Sequence, residues 1–341
     1  MIKYLILNFA ILLNSMPHSI GVAQSSNVNH EKYIKDYKKP SVVPYPKDNE
    51  YSKEKELLGK ILFFDPRLST SNWISCATCH NPGLSWGDGL PKGIGHGMNT
   101  LERRTPTILN LAWGEPLMWD GRADTLEAQA LGPISAPGEM GLPQDQLVGK
   151  IQSIEGYSAL FNRAFRDLKG VTLEKISKAI ATYERTIVSS EAPFDAWING
   201  KQNAISENAK RGFVVFNEKG KCAQCHSGWR FTDDSFHDIG IDDDDIGRAK
   251  IIPGIPVLQH AFKTPTLRNI SKRAPYMHAG SEPTLTAVVE FYNLGGKVRR
   301  DSLAEQIQPL QLTDTEKNDL VAFLKTLTSR DKEVVIPELP R

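Results

Sequence analysis

Net charge is nearly absent from this chain: 41 lysines and arginines face 40 aspartates and glutamates, for a formal charge of +1 at pH 7. Such a balance leaves no electrostatic footprint for nucleic acid or for an anionic membrane surface. Long apolar runs are missing too. The most apolar stretch runs from Leu5 to Leu13, is interrupted at Asn8 and ends at Asn14 and Ser15, short of the ~20 residues a membrane span requires. Lys3 before it and Gly21-Val22-Ala23 after it predict a signal peptide over residues 1–23, with no membrane span once it is cleaved. Cysteine is scarce as well, with four in 341 residues. All four fall in two short clusters, so no thiol is left for anything else.

Those clusters are Cys76-Ala77-Thr78-Cys79-His80 and Cys222-Ala223-Gln224-Cys225-His226. A lone CxxC is also compatible with a redox disulfide or half a zinc site, but two CxxCH copies behind an export signal read as c-type haem attachment. Each cysteine pair adds to the vinyl groups of one porphyrin, and the adjoining histidine, His80 or His226, takes an axial position on the iron. Two covalently bound haem c groups are therefore expected. Bacterial haem attachment of this type is completed outside the cytoplasm, which agrees with export to the periplasm.

The chain is longer than one core usually serves, and the repeated motif predicts two haem domains. Residues 24–50 are polar, contain Pro40, Pro44 and Pro46, and read as a leader or linker. A first domain is expected over 51–195, opening with a helix from Lys53 to Phe64 on the spacing of Leu57, Leu58, Ile61 and Leu62. A glycine-rich loop follows His80 and is expected to wrap one haem edge. The pattern from Leu147 to Val188 is helical with a break at Gly170. A second domain is expected over 200–330, with Ser206 as N-cap of a helix through Phe216 and a capping box at Thr313-Asp314-Thr315-Glu316 opening a terminal helix. Residues 331–341 form a tail.

Several segments together carry a family resemblance over residues 53 to 328. They include Leu62-Phe63-Phe64-Asp65, Arg104-Thr105-Pro106-Thr107, Trp119-Asp120-Gly121-Arg122, Glu139-Met140-Gly141, Phe231-Thr232-Asp233, Pro265-Thr266-Leu267-Arg268-Asn269 and Pro275-Tyr276-Met277-His278. In these the chain resembles the bacterial di-haem cytochrome c peroxidase family that includes the MauG enzymes. The resemblance implies an all-α fold of two cytochrome c-like haem domains. It also implies hydrogen peroxide as oxidant, a peroxidatic first haem on His80 and an electron-storing second haem on His226. Glu139 matches the family's distal acid/base, a task suited to a carboxylate that takes and returns a proton; read alone it is a surface glutamate. Gln129 and Pro133 match residues lining the distal pocket. Trp119 matches the tryptophan between the haems, although a bare tryptophan is usually core. His96, between Gly95 and Gly97, matches a histidine that caps the first iron in the resting state of ordinary peroxidases. His237, His260 and His278 read as structural or propionate-contacting.

Two positions depart from the ordinary peroxidase pattern. Tyr292 stands where those enzymes place a methionine ligand to the second iron, and the MauG branch has tyrosine there; Met277 is the substitute ligand if Tyr292 merely packs. The resemblance also places a calcium ion between the domains, on backbone oxygens falling at Arg273 and Pro275. Arg104 stands where the family has an asparagine ligand, and a guanidinium cannot coordinate calcium, which leaves calcium open. The Asp242–Asp245 run reads as an acidic solvated loop. The expected activity is a peroxide-dependent di-haem oxidase acting, like MauG, on a partner protein or a small redox donor. The alternatives are an ordinary peroxidase fed by a small cytochrome c or cupredoxin, and a di-haem electron carrier without peroxidase activity.

Overall fold

The computed structural model describes residues 31–341; the expected signal peptide, residues 1–23, lies outside the described residues. Eleven α-helices and nine three-residue 3-10 turns account for nearly all regular structure among them. They are α1 (Glu31–Tyr37), α2 (Lys53–Phe64), the single turn α3 (Cys76–Cys79), α4 (Leu126–Ser135), α5 (Gln144–Gln152), α6 (Glu155–Phe165), α7 (Leu173–Arg185), α8 (Pro193–Ile198), α9 (Glu207–Asn217), α10 (Leu285–Leu294) and α11 (Asp314–Lys325). The described strands are two-residue pieces, β1 (Phe236–His237) and β2 (Phe262–Lys263), paired antiparallel. No helix among the described residues is long and apolar enough to cross a membrane.

Helix starts follow the sequence signals. Ser52 accepts a hydrogen bond from the Lys55 amide at α2, Ser206 from Ala209 at α9, and Thr313 and Glu316 close a reciprocal capping box at α11. Each such cap satisfies amides the first turn leaves unpaired. The expected helical stretch over 147–188 is three helices, because the chain turns at Ser153-Ile154 as well as near Gly170.

Two large hydrophobic clusters form, beside a small third one of Leu117, Leu126 and Ala181. One gathers Leu58, Leu62, Phe63, Tyr157, Phe161, Ile176, Ile180 and Tyr183; the other gathers Phe194, Trp197, Phe213, Phe216, Phe231, Leu320 and Phe323. Each rests on one tight helix crossing. A β-carbon on Gly59 of α2 would lie 1.8 Å from the Ala179 carbonyl oxygen of α7, and one on Gly212 of α9 would lie 1.9 Å from that of Asp319 in α11. Only glycine allows backbones to approach this closely.

The polar leader is more than a linker. Its helix α1 places Tyr33 and Tyr37 edge-on against Phe213 of the second cluster, and the Tyr37 hydroxyl donates to Asn217 Oδ1 at 2.9 Å. At the other end, Val334 and Leu339 pack on the first cluster, and Arg67 donates to the Pro340 carbonyl at 2.9 Å. Each end of the described chain thus crosses to the half more distant in sequence.

The halves also share an internal repeat. Thr105-Pro106-Thr107 with Asn110 returns as Thr264-Pro265-Thr266 with Asn269, and Pro116, Met118 and Gly121 return as Pro275, Met277 and Gly280. Asn110 and Asn269 both adopt positive φ, as do Met118 and Met277. The repeat then enters α4, capped by Thr125, and α10, capped by Thr284, each ten residues long.

Candidate functional site

A cavity of about 630 Å³ is lined by both CxxCH segments and by the repeat that follows each of them. The His80 amide bonds the Cys76 carbonyl at 2.8 Å, and the His226 amide bonds the Cys222 carbonyl at 2.8 Å. These bonds wind each motif into one turn and present its histidine to the cavity. His80 Nδ1 lies 3.2 Å from the Trp86 carbonyl oxygen and His226 Nδ1 2.9 Å from that of Phe231. A carbonyl only accepts, so Nδ1 carries the proton and Nε2 keeps its lone pair. Burial lowers both imidazole pKa values, holding the rings neutral as metal ligation requires.

Glu139, Gln129, Pro133 and Trp119 all line the same cavity. Burial raises the Glu139 pKa, opposed by the positive charge of Arg122. Gln129 Nε2 lies 3.7 Å from Met118 Sδ. Trp119 is fastened at the seam of the halves: its indole Nε1–H donates to the Arg104 carbonyl at 2.8 Å, and its ring meets His278 edge-on at 6.3 Å.

The repeat relates Pro133 to Tyr292, each the eighth residue of its helix. Both face the cavity. Pro133 offers no donor atom to a metal, whereas Tyr292 offers a phenolic oxygen. Burial near Cys222 and Cys225 pushes the Tyr292 pKa up, so in the protein alone the phenol is neutral and a ferric ion would have to displace its proton. Met277 also lines the cavity, but it repeats Met118 in the same left-handed turn. The repeat, which pairs Pro133 with Tyr292, is the signal that sequence reading missed.

His96 adjoins this constellation through its backbone, and its buried Nδ1 has no protein partner. Its amide donates to the Glu139 carbonyl at 2.7 Å, its ring lies beside Gly141, and it is not among the cavity-lining residues. The acidic run is also not simply solvated. Asp242 and Asp244 are exposed, but Asp245 takes a bidentate pair from Arg103 at 2.6 and 3.0 Å, and Asp243 Oδ2 lies 2.8 Å from His278 Nε2. Arg103 also reaches Asp120 at 2.6 Å. The run therefore closes the seam between the halves. His278 is buried, stacked on Phe262 with ring centroids 3.5 Å apart. His237 lines the cavity with Asp233 Oδ2 2.8 Å from its Nε2, and His260 Nδ1 lies 3.0 Å from the Asp245 carbonyl oxygen.

The residues fit haem. Two imidazoles with free lone pairs share one cavity with two thiol pairs, and the buried Nε atoms of Arg104 and Arg273, also in its wall, have no protein partner. Haem carboxylates would answer such donors. The residues do not fit calcium at the resembled position: the Arg273 carbonyl oxygen already accepts from Arg104 Nη2 at 2.7 Å.

Two histidine-terminated CxxC turns, each on its own helix crossing and opening into one cavity, define a two-domain c-type haem protein. A carboxylate and an amide in its wall exceed what an electron carrier needs. The family profile for di-haem cytochrome c peroxidase matches residues 53–203, and that for cytochrome c matches residues 209–328. The chain is 49% identical over 306 residues to a methylamine utilization protein MauG of Methylorubrum extorquens, covering 89% of this chain and 86% of that one. It is 35% identical over 289 residues to the cytochrome c551 peroxidase of Nitrosomonas europaea, covering 83% and 82%. Its fold is similar to a crystal structure of a MauG-like protein associated with microbial copper homeostasis, with TM-score 0.79, 30% identity, and 85% and 95% of the two chains covered. The chain belongs to the di-haem cytochrome c peroxidase and MauG family. It is an all-α di-haem peroxidase-type oxidoreductase, and membership implies two haem c cofactors.

Proposed function

We propose that this chain is a MauG-like oxidase that uses hydrogen peroxide to oxidise aromatic side chains of a partner protein. The observation that carries the reading is the pairing of Pro133 with Tyr292 at one position of the internal repeat. His80, with Cys76 and Cys79, would hold the peroxidatic haem in residues 51–195. His226, with Cys222 and Cys225, would hold the second haem in residues 200–330, with Tyr292 as its sixth ligand. The first haem supplies an iron that reacts with peroxide and the second an iron that shares the oxidising equivalents. Peroxide takes up two electrons and two protons to give two waters, and the electrons come in the end from the partner.

Pro133, which has no side-chain donor atom, would leave the first haem open to peroxide where it faces the cavity. Glu139, with its pKa raised by burial, would hold or return a proton at the peroxide oxygens, and Gln129 would orient the peroxide by hydrogen bonding. Trp119, fixed through Nε1, lies between the halves as an oxidisable aromatic. A phenolate on the second iron favours ferric and higher oxidation states, where a methionine would favour ferrous. That preference separates this reading from a peroxidase fed by a small cytochrome or cupredoxin. Capping of the first iron by His96 would favour the ordinary peroxidase. Lys3 and the apolar run of residues 1–23 support export to the periplasm.

Tyr292→Phe tests the assignment against Met277→Leu, with haem spectra recorded before and after peroxide. The tyrosine variant is expected to change the low-spin haem spectrum and to lose the two-electron-oxidised state; the methionine variant is expected to do neither. Spectra that follow Met277 instead would return the chain to the ordinary peroxidase reading.

A further inference from the structure

Arg104 is buried, at 7% exposure, and Arg273 is buried beside it, at 5%. Among the described ion pairs neither has a carboxylate partner. Two guanidiniums so placed are costly unless their donors are answered; haem carboxylates would answer the Nε atoms, and Nη2 of Arg104 has a second task. Burial lowers the pKa of both, and the Arg104 charge helps to push Arg273 down to about 9.

The contacts of Arg104 define that task. Arg104 precedes Thr105 at the start of the first repeat, while Arg273 and His278 belong to the second. Its Nη2 donates to the Arg273 carbonyl at 2.7 Å. Its backbone amide donates to the His278 carbonyl at 2.8 Å, and its own carbonyl accepts the Trp119 indole at 2.8 Å. One residue thus ties the two halves together and fixes the aromatic ring between them. The bond to Arg273 falls on an oxygen that a divalent cation at this seam would need. Calcium requires six to eight oxygen ligands; here a cation already attached to the chain holds that oxygen and would repel the ion.

We propose that the Arg104 guanidinium takes the place of an interdomain divalent cation, so that the seam between the haem halves, and with it the position of Trp119, is set without calcium. Arg104 is a positioning residue in this scheme: it acts through the Arg273 carbonyl and through Trp119. The chain thus supplies at the Arg273 carbonyl a positive charge that no chelator removes.

The test uses the haem-loaded protein dialysed against a chelator or against calcium, with metal content, haem absorption spectra and the unfolding midpoint measured. The wild type is expected to hold no stoichiometric calcium and to show the same spectra and midpoint in both buffers. Arg104→Asn is expected to unfold at a lower temperature in chelator and to recover with calcium, while Arg104→Lys, which keeps the charge, is expected to stay indifferent to calcium. One calcium per wild-type chain, with its removal changing the spectra or the midpoint, overturns the proposal. So does an asparagine variant that matches the wild type in chelator, or one that is destabilised and does not respond to calcium. If the asparagine variant yields no folded protein, the wild-type metal content and the lysine variant decide, and a lysine variant that needs calcium overturns the proposal.

Discussion

Pro133 and Tyr292 occupy one helical position in two copies of a repeat and both face the cavity, so on the proposed reading one haem would meet no side-chain donor at that position and the other would meet a phenol. Glu139 makes the open side chemically useful only if it moves a proton. Glu139→Gln should therefore keep both haems bound while slowing the peroxide reaction by roughly 10²–10⁴-fold; stopped-flow traces that overlay the wild type would reduce Glu139 to a wall residue. Glu184 of α7, in the same cavity wall, is buried with Oε2 unpaired, and burial pushes its pKa from 4.5 up to about 8. Its folded pKa exceeds its unfolded one, so between pH 4.5 and 8 the folded state binds more protons and stability falls as pH rises. Glu184→Gln removes this penalty. The variant should unfold at a higher temperature than the wild type near pH 8, with a gain in stability of up to a few kcal/mol, since a tenfold change in proton affinity corresponds to about 1.4 kcal/mol. The difference should vanish near pH 4. A thermal-melt series across that range checks both ends.

Helices were the most legible elements. Ser52, Ser206 and Thr313 each start a helix where the capping signals put it, because a cap acts within one turn and needs no tertiary partner. Helix α1 gave no such signal: Tyr33 and Tyr37 become an apolar face only against Phe213, which is distant in sequence. The loop after His226 depends on a buried pair that spacing alone does not reveal. Arg268, at 1% exposure, bonds Asp195 at 2.9 and 2.8 Å and donates from Nε to the Trp229 carbonyl at 2.6 Å, beside the His226 segment. Asp195→Ala should leave that guanidinium buried and uncompensated, at a cost of about 3–5 kcal/mol. Denaturant unfolding would measure it, and a loss below about 1 kcal/mol, the range of an exposed ion pair, would show the pair to be dispensable.

Over the whole molecule the two ends are exchanged: α1 covers the second cluster and residues 331–341 cover the first. Asp331 joins the segments, accepting from the Ser190 amide at 2.8 Å and from Asn269 Nδ2 and Ser329 Oγ. Deleting residues 332–341 should destabilise the first half, by about 1–3 kcal/mol from the lost burial of Val334 and Leu339. Unfolding followed at the Soret band would detect this, and an unchanged midpoint would mean that the tail only rests on the surface. The sequence by itself determined the haem chemistry, since a CxxCH pentapeptide carries thiols and imidazole within one turn, and it determined the helix starts for the same local reason. Only the tertiary structure decided that the His96 amide meets the Glu139 carbonyl, that Asp243 and Asp245 turn inward at the seam, and that Arg104 meets the Arg273 carbonyl. Each of these depends on where a side chain meets a partner far along the chain, and such meetings are set by the packing of two cores against each other.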